Sequence, residues 1–70
     1  MKHCMWVATK YGRALVPFHA VVQVFEGKNH ADDPATFILL TTGSVEVSDF
    51  KVAADFIRGY EEWLEHRFGA

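Results

Sequence analysis

Cys4 is the only cysteine of this 70-residue chain, and His19 is the imidazole that could activate it. Thiolate chemistry needs a base within hydrogen-bond reach and a third group to orient that base. A two-residue turn at Tyr11-Gly12 would set positions 4 and 19 opposite each other on an antiparallel hairpin. Pro17 interrupts that ladder, however, and no orienting residue is evident. A small buried cysteine beside a corner histidine is the better account. His30, Asp32 and Asp33 share one loop and offer an imidazole and carboxylates to a metal ion. The ligand set is incomplete, and Asp33-Pro34 is a common way to open a turn. Glu61, Glu62 and Glu65 crowd one segment, but acid–base catalysis needs a cleft that perturbs such groups. A solvated helix face, with Arg58 spaced to meet Glu62, explains them. Phosphate-cradling glycine loops, nucleophile elbows and zinc spacings are absent from the sequence. The expectation is a protein that is not an enzyme, with no catalytic residue, metal or cofactor.

Binding chemistry is better represented. Lys2, Lys10 and Arg13 gather with Trp6 and Tyr11 near the N-terminus, where cations could meet phosphates and rings could stack on bases. Nucleic-acid domains are usually markedly basic, whereas this chain carries a formal net charge of −2. The charge is unevenly spread: residues 1–31 hold four cations against Glu26, giving +3, and residues 32–70 hold three against eight carboxylates, giving −5. Such asymmetry steers association between copies or toward a charged partner. Nucleic acid is therefore the less favoured partner, with Lys2, Lys10, Tyr11 and Arg13 as its contacts.

The elements that must position these residues follow from patterning and punctuation. Met5 to Lys10 reads as a strand rich in Trp and Val, followed by the Tyr11-Gly12 turn and a return over Arg13 to Val16. Pro17 stops that strand because it has no N–H to donate. Phe18 and His19 make a corner, and Ala20 to Glu26 is a Val-rich strand. Gly27 to Ala35 is a polar loop of turn formers. Thr36 to Thr41 reads as a strand buried on both sides, with a short helix capped by Asp33 and opened by Pro34 as its rival. Thr42-Gly43 turns the chain into a short strand, Ser44 to Val47. Ser48 is the expected N-cap of a long helix, with Asp49 adding favourable charge at its start and Gly69 as its stop.

The helix carries two apolar stripes. On a wheel of about 100° per residue, its charged residues occupy about 140°, leaving an apolar arc closer to 200° where a surface helix usually shows somewhat over 100°. Phe50, Ala53, Ile57, Tyr60, Leu64 and Phe68 form one stripe, and Val52, Phe56, Gly59 and Trp63 the other. One can face the chain's own sheet. The second, with a glycine where another backbone could approach, is expected to be an interface.

Seventy residues make a single domain over 1–70, with the sheet in 4–47 and the helix in 49–67. A chain this short buries only about 60% of its unfolded surface, so reinforcement by oligomerisation is expected where disulfides and zinc are lacking. No apolar run reaches the 18 residues needed to span a membrane, and the start lacks a signal peptide's apolar core, so a cytoplasmic protein is expected. The fold class expected is α+β: a curved, half-barrel-like antiparallel sheet of four to five short strands, then one amphipathic C-terminal helix.

The order of motifs resembles the small flagellar FlbD-like family. The matching features are the early hairpin around Tyr11-Gly12, Val16-Pro17 leading into Ala20–Glu26, and the block from Ile38 to Ile57. That block is similar to the family's strand, Gly turn, strand, Ser and helix series. The resemblance covers roughly residues 5–58 and implies the same one-domain fold and a link to flagellar and swarming function. It carries no catalytic residue across. The long HADDPA loop and the extended helix with Trp63 depart from the family. The expected function is a small regulatory interaction module that self-associates as a homodimer through Val52, Phe56, Gly59 and Trp63. The alternative is an inhibitor or adaptor that binds a larger protein complex, motility-related or encoded by a phage or mobile element.

Overall fold

The computed structural model describes residues 3–67. In chain order they form β1 (Cys4–Thr9), β2 (Gly12–Pro17), a 3-10 turn over Phe18–Ala20, β3 (Val21–Lys28), β4 (Pro34–Leu40), β5 (Gly43–Val47) and α1 (Phe50–Arg67). The class is α+β. The five strands make two antiparallel sheets, β1–β2 and β3–β4–β5, and neither closes on itself. The break between them falls at Pro17, which cannot extend a ladder, and at the corner that follows it.

β4 is the central strand of the larger sheet, paired with β3 on one side and β5 on the other. This resolves the strand-or-helix question over Thr36 to Thr41 in favour of the strand. Thr36 and Ile38 are buried beneath the helix, while Phe37 and Leu39 are half-buried on the opposite face. A β-bulge between Val21 and Gln23 shifts the register of β3.

The helix cap lies one residue later than expected. Asp49 Oδ1 accepts from the N–H groups of Lys51 (2.8 Å) and Val52 (3.2 Å), and the Asp49 carbonyl accepts from Ala53 N–H (3.0 Å). The carboxylate takes the part assigned to the Ser48 hydroxyl and also places negative charge at the positive end of the helix. The expected stop at Gly69 and the stripe residue Phe68 lie outside the described residues.

The core draws on both helix stripes, taking Phe56 and Trp63 from the one expected to be an interface and Ala53, with Tyr60 and Leu64 packed against it, from the other. Phe56 is fully buried and Trp63 retains 7% of its exposure, both within the protein's own core of Val7, Val16, Phe18, Ile38, Val47 and Ala53. Val52 packs against that core as well. A Cβ on Gly59 would lie 3.3 Å from Met5 Sδ and 3.5 Å from Phe18 Cζ. The glycine thus admits side chains of the first hairpin and its corner, not a second backbone. Val52, Phe56, Gly59 and Trp63 are internal packing, and the interface expected there is withdrawn. Phe50, from the stripe assigned to the sheet, is instead 81% exposed.

Phe18 joins the layers. Its ring centroid stands 5.7 Å from that of Phe56, 5.8 Å from Tyr60 and 6.0 Å from Trp63, all tilted. Its backbone N–H donates to the His3 carbonyl at 3.0 Å, and Trp63 Nε1–H donates to His3 Nδ1 at 3.3 Å. Burying one such ring is worth about 1.5–3 kcal/mol, and each aromatic pair adds about 0.5–1.5 kcal/mol. Phe18→Ala is expected to cost about 3–5 kcal/mol, measured by urea denaturation. Trp63→Ala should likewise loosen the single chain and leave any assembly to be governed elsewhere. A loss under about 1 kcal/mol at Phe18 would contradict its place in the core.

Candidate interaction face

Where sequence spacing put the hairpin turn at Tyr11-Gly12, the register places it at Lys10-Tyr11, with Thr9 opposite Gly12. Thr9 Oγ1 donates to the Gly12 carbonyl (2.8 Å) and accepts from Tyr11 N–H (3.1 Å), closing the turn. Gly12 then takes φ +127°, a conformation open to glycine and strained for other residues. Moving the turn by one residue shifts every partner by two positions, which changes each pairing and leaves each side chain on the same face. Cys4 lies opposite Pro17, so Cys4 and His19 are not brought together. Cys4 is exposed, against the expected burial, and so is His19.

The same register builds a face that spacing alone did not reveal. Val7 and Val16 point into the core, so Cys4, Trp6, Ala8, Arg13 and Leu15 point out. Trp6 pairs directly with Leu15, and the two remain 54% and 49% exposed. The Arg13 guanidinium lies 4.6 Å from the Trp6 ring centroid. At the tip, Lys10 Nζ lies 5.2 Å from the ring of Tyr11, itself 88% exposed. Each such contact is worth about 0.5–1 kcal/mol when exposed. Among the described residues neither Lys10 nor Arg13 forms an ion pair. Of the four contacts assigned to nucleic acid, Lys10, Tyr11 and Arg13 share this hairpin, and Lys2 lies outside the described residues.

The other candidate residues lie in the β3–β4 loop and on the helix. Asn29 organises the β3–β4 loop: its Oδ1 accepts from Ala31 N–H (2.9 Å) and Asp33 N–H (3.1 Å), and its Nδ2 donates to Glu46 Oε2 (3.3 Å). Asp32 adopts φ 65° there and approaches Lys28 Nζ at 3.7 Å. His30, Asp32 and Asp33 lie in the loop between β3 and β4, and among the described residues no three His, Cys, Asp or Glu side chains converge as a metal site. Arg58 pairs with Asp55 at 2.8 Å, not with Glu62. Glu61, Glu62 and Glu65 are exposed. A groove of about 520 Å³ runs over Met5, Phe18, Gly59 and Trp63 and is also lined by Asp55, Arg58 and Glu62.

No protein-family model, curated protein or solved structure matches the chain. Among the described residues no helix is long and apolar enough to cross a membrane.

Leu15 was the residue missed. Its signal was the hairpin sum: once the turn is Lys10-Tyr11, Trp6 and Leu15 become partners. The exposed thiol on this face gives a direct check. Native protein is expected to react with a thiol reagent at Cys4 at nearly the rate seen in urea; protection of tenfold or more would place Cys4, and the face with it, inside the fold.

Proposed function

We propose that this protein is a small, non-enzymatic interaction module whose contact face is the outer side of the β1–β2 hairpin. The observation that carries the reading is the cross-strand pair Trp6–Leu15, half exposed beside Arg13. Trp, Tyr and Arg are the residue types that most often anchor protein interfaces, and here all three stand on one hairpin. A regulatory or adaptor role toward another protein, motility-linked as the FlbD-like resemblance implies, is supported by the matching order of strands and helix. The interaction is thereby moved from the helix stripe to the hairpin.

A Trp6→Ser/Leu15→Ser variant tests this reading. It is expected to keep the wild-type melting profile within a few degrees, since both side chains stand outside the core. It should lose, by tenfold or more, any protein association the wild type makes, as read by light scattering and by retention on immobilised protein. Association that survives the double substitution unchanged would overturn the hairpin as the contact face.

A second reading places single-stranded nucleic acid on the same hairpin. Lys10, Tyr11 and Arg13 at the exposed tip favour it, because cations beside accessible rings suit phosphates and stacked bases. Retention of labelled single-stranded DNA or RNA that falls steeply with salt and disappears in Lys10→Glu/Arg13→Glu would establish it. No retention at low ionic strength would end it.

A further inference from the structure

The hairpin face and one flank of α1 carry the same sequence of surface chemistry with opposite charge. Along the hairpin from base to tip, apolar Trp6 and Leu15 give way to Arg13 and Lys10. Four residues separate Trp6 from Lys10, a span of about 13 Å in a strand. Along α1, Phe50, Ala54, Ile57, Glu61 and Glu65 follow at helical spacings of four, three, four and four, which keeps them on one side. Nine residues separate Ala54 from the midpoint of the two glutamates, about 13.5 Å in a helix. Taken to the midpoint of Lys10 and Arg13, the latter level with Ala8, the hairpin span is about 10 Å, and the two spans agree to within about 4 Å.

Both surfaces are available. Phe50 and Ala54 are exposed and Ile57 is half-buried. Phe50, Ala53, Ala54, Ile57 and Glu61 line a groove of about 230 Å³ together with Thr36, Glu26 and Arg58. Glu61 and Glu65 form no ion pair among the described residues, and the neighbouring cation Arg58 is held by Asp55. Residues 3–20, which make the hairpin and its corner, contain no Asp or Glu.

We propose that the hairpin face docks on the α1 flank of a second copy of this chain. Trp6 and Leu15 lie against Phe50, Ala54 and Ile57, Arg13 meets Glu61, and Lys10 meets Glu65. The inference rests on the hairpin reading above and names its partner. A polyanion would gain from two hairpin cations but face the net −5 of residues 32–70, whereas a second copy supplies both signs in register. The contact joins two different surfaces, and the hairpin's outer face points away from the helix that covers its inner face. Association is therefore head-to-tail and grows into rings or open chains, in place of the two-fold dimer expected from the sequence.

The test uses two charge-reversed proteins, Lys10→Glu/Arg13→Glu and Glu61→Lys/Glu65→Lys, with light scattering across a concentration series at low salt. Wild type is expected to exceed the mass of two chains and to return toward one as salt rises. Each variant alone, now carrying like charges on both surfaces, should stay at the mass of one chain. Their equimolar mixture restores opposite charges at every contact and should regain the wild-type mass. Melting curves check folding, and the corresponding Gln variants replace any protein that does not fold. A wild type at single-chain mass throughout overturns the inference, as does a mixture that stays monomeric. If the wild type is monomeric yet retains another protein, or single-stranded DNA, through Trp6 and Leu15 or Lys10 and Arg13, the hairpin stands as a contact face and the second copy falls.

Discussion

One phenylalanine ties the two layers of this protein together. Phe18 sits at the corner where β2 ends, and its ring enters the nest formed by Phe56, Tyr60 and Trp63 on the helix. The corner itself is fixed by Pro17, which ends the ladder, and by the bond from Phe18 N–H to the His3 carbonyl. Gly59 leaves the space that lets this corner come so close. In a 70-residue chain with one cysteine, a single aromatic contact of this kind couples the hairpin, the corner and the helix, so that they stand or fall together.

That constraint explains why the helix stripe expected to be an interface lies in the core, beside Ala53 and Tyr60 of the other stripe. Periodicity shows how wide an apolar arc is, but not which edge of it meets the sheet. Wheel geometry alone gave Val52, Phe56, Gly59 and Trp63 no more claim to the core than Phe50, Ala53 and Ile57. The choice was made by Phe18, a residue outside the helix whose bulk needs a glycine and aromatic neighbours. The wide arc is real, and its leftover edge is Phe50 with Ala54 and Ile57.

The strands were legible because their signals are local. Val-rich runs, Pro17, the polar loop and Thr42-Gly43 each mark a boundary by a backbone rule, and five strands and a helix stand in the expected order. Register was not legible to the same degree. Thr9 and Gly12 close the turn around Lys10-Tyr11, so the glycine falls just after the turn's centre, and one residue of error moves every cross-strand partner by two positions while keeping it on the same face. Trp6 opposite Leu15, the central feature of the candidate face, depends on that single step. The cap at Asp49 is a smaller instance of the same ambiguity, since adjacent Ser and Asp both offer an oxygen to the first helical turn.

The exposed aromatics are not left bare. The Arg13 guanidinium covers part of Trp6 and Lys10 approaches the Tyr11 ring, contacts worth only about 0.5–1 kcal/mol each in water. Among the described residues these cations have no carboxylate to hold them more firmly. They shield the rings of the free protein at little cost, and they can exchange a ring for an incoming carboxylate without breaking anything in the core. An apolar pair flanked by weakly held cations is thus compatible both with a free single chain and with a partner whose surface carries apolar side chains followed by acids. The fold pays for neither state: Phe18, Phe56 and Trp63 hold it together on the far side of the hairpin.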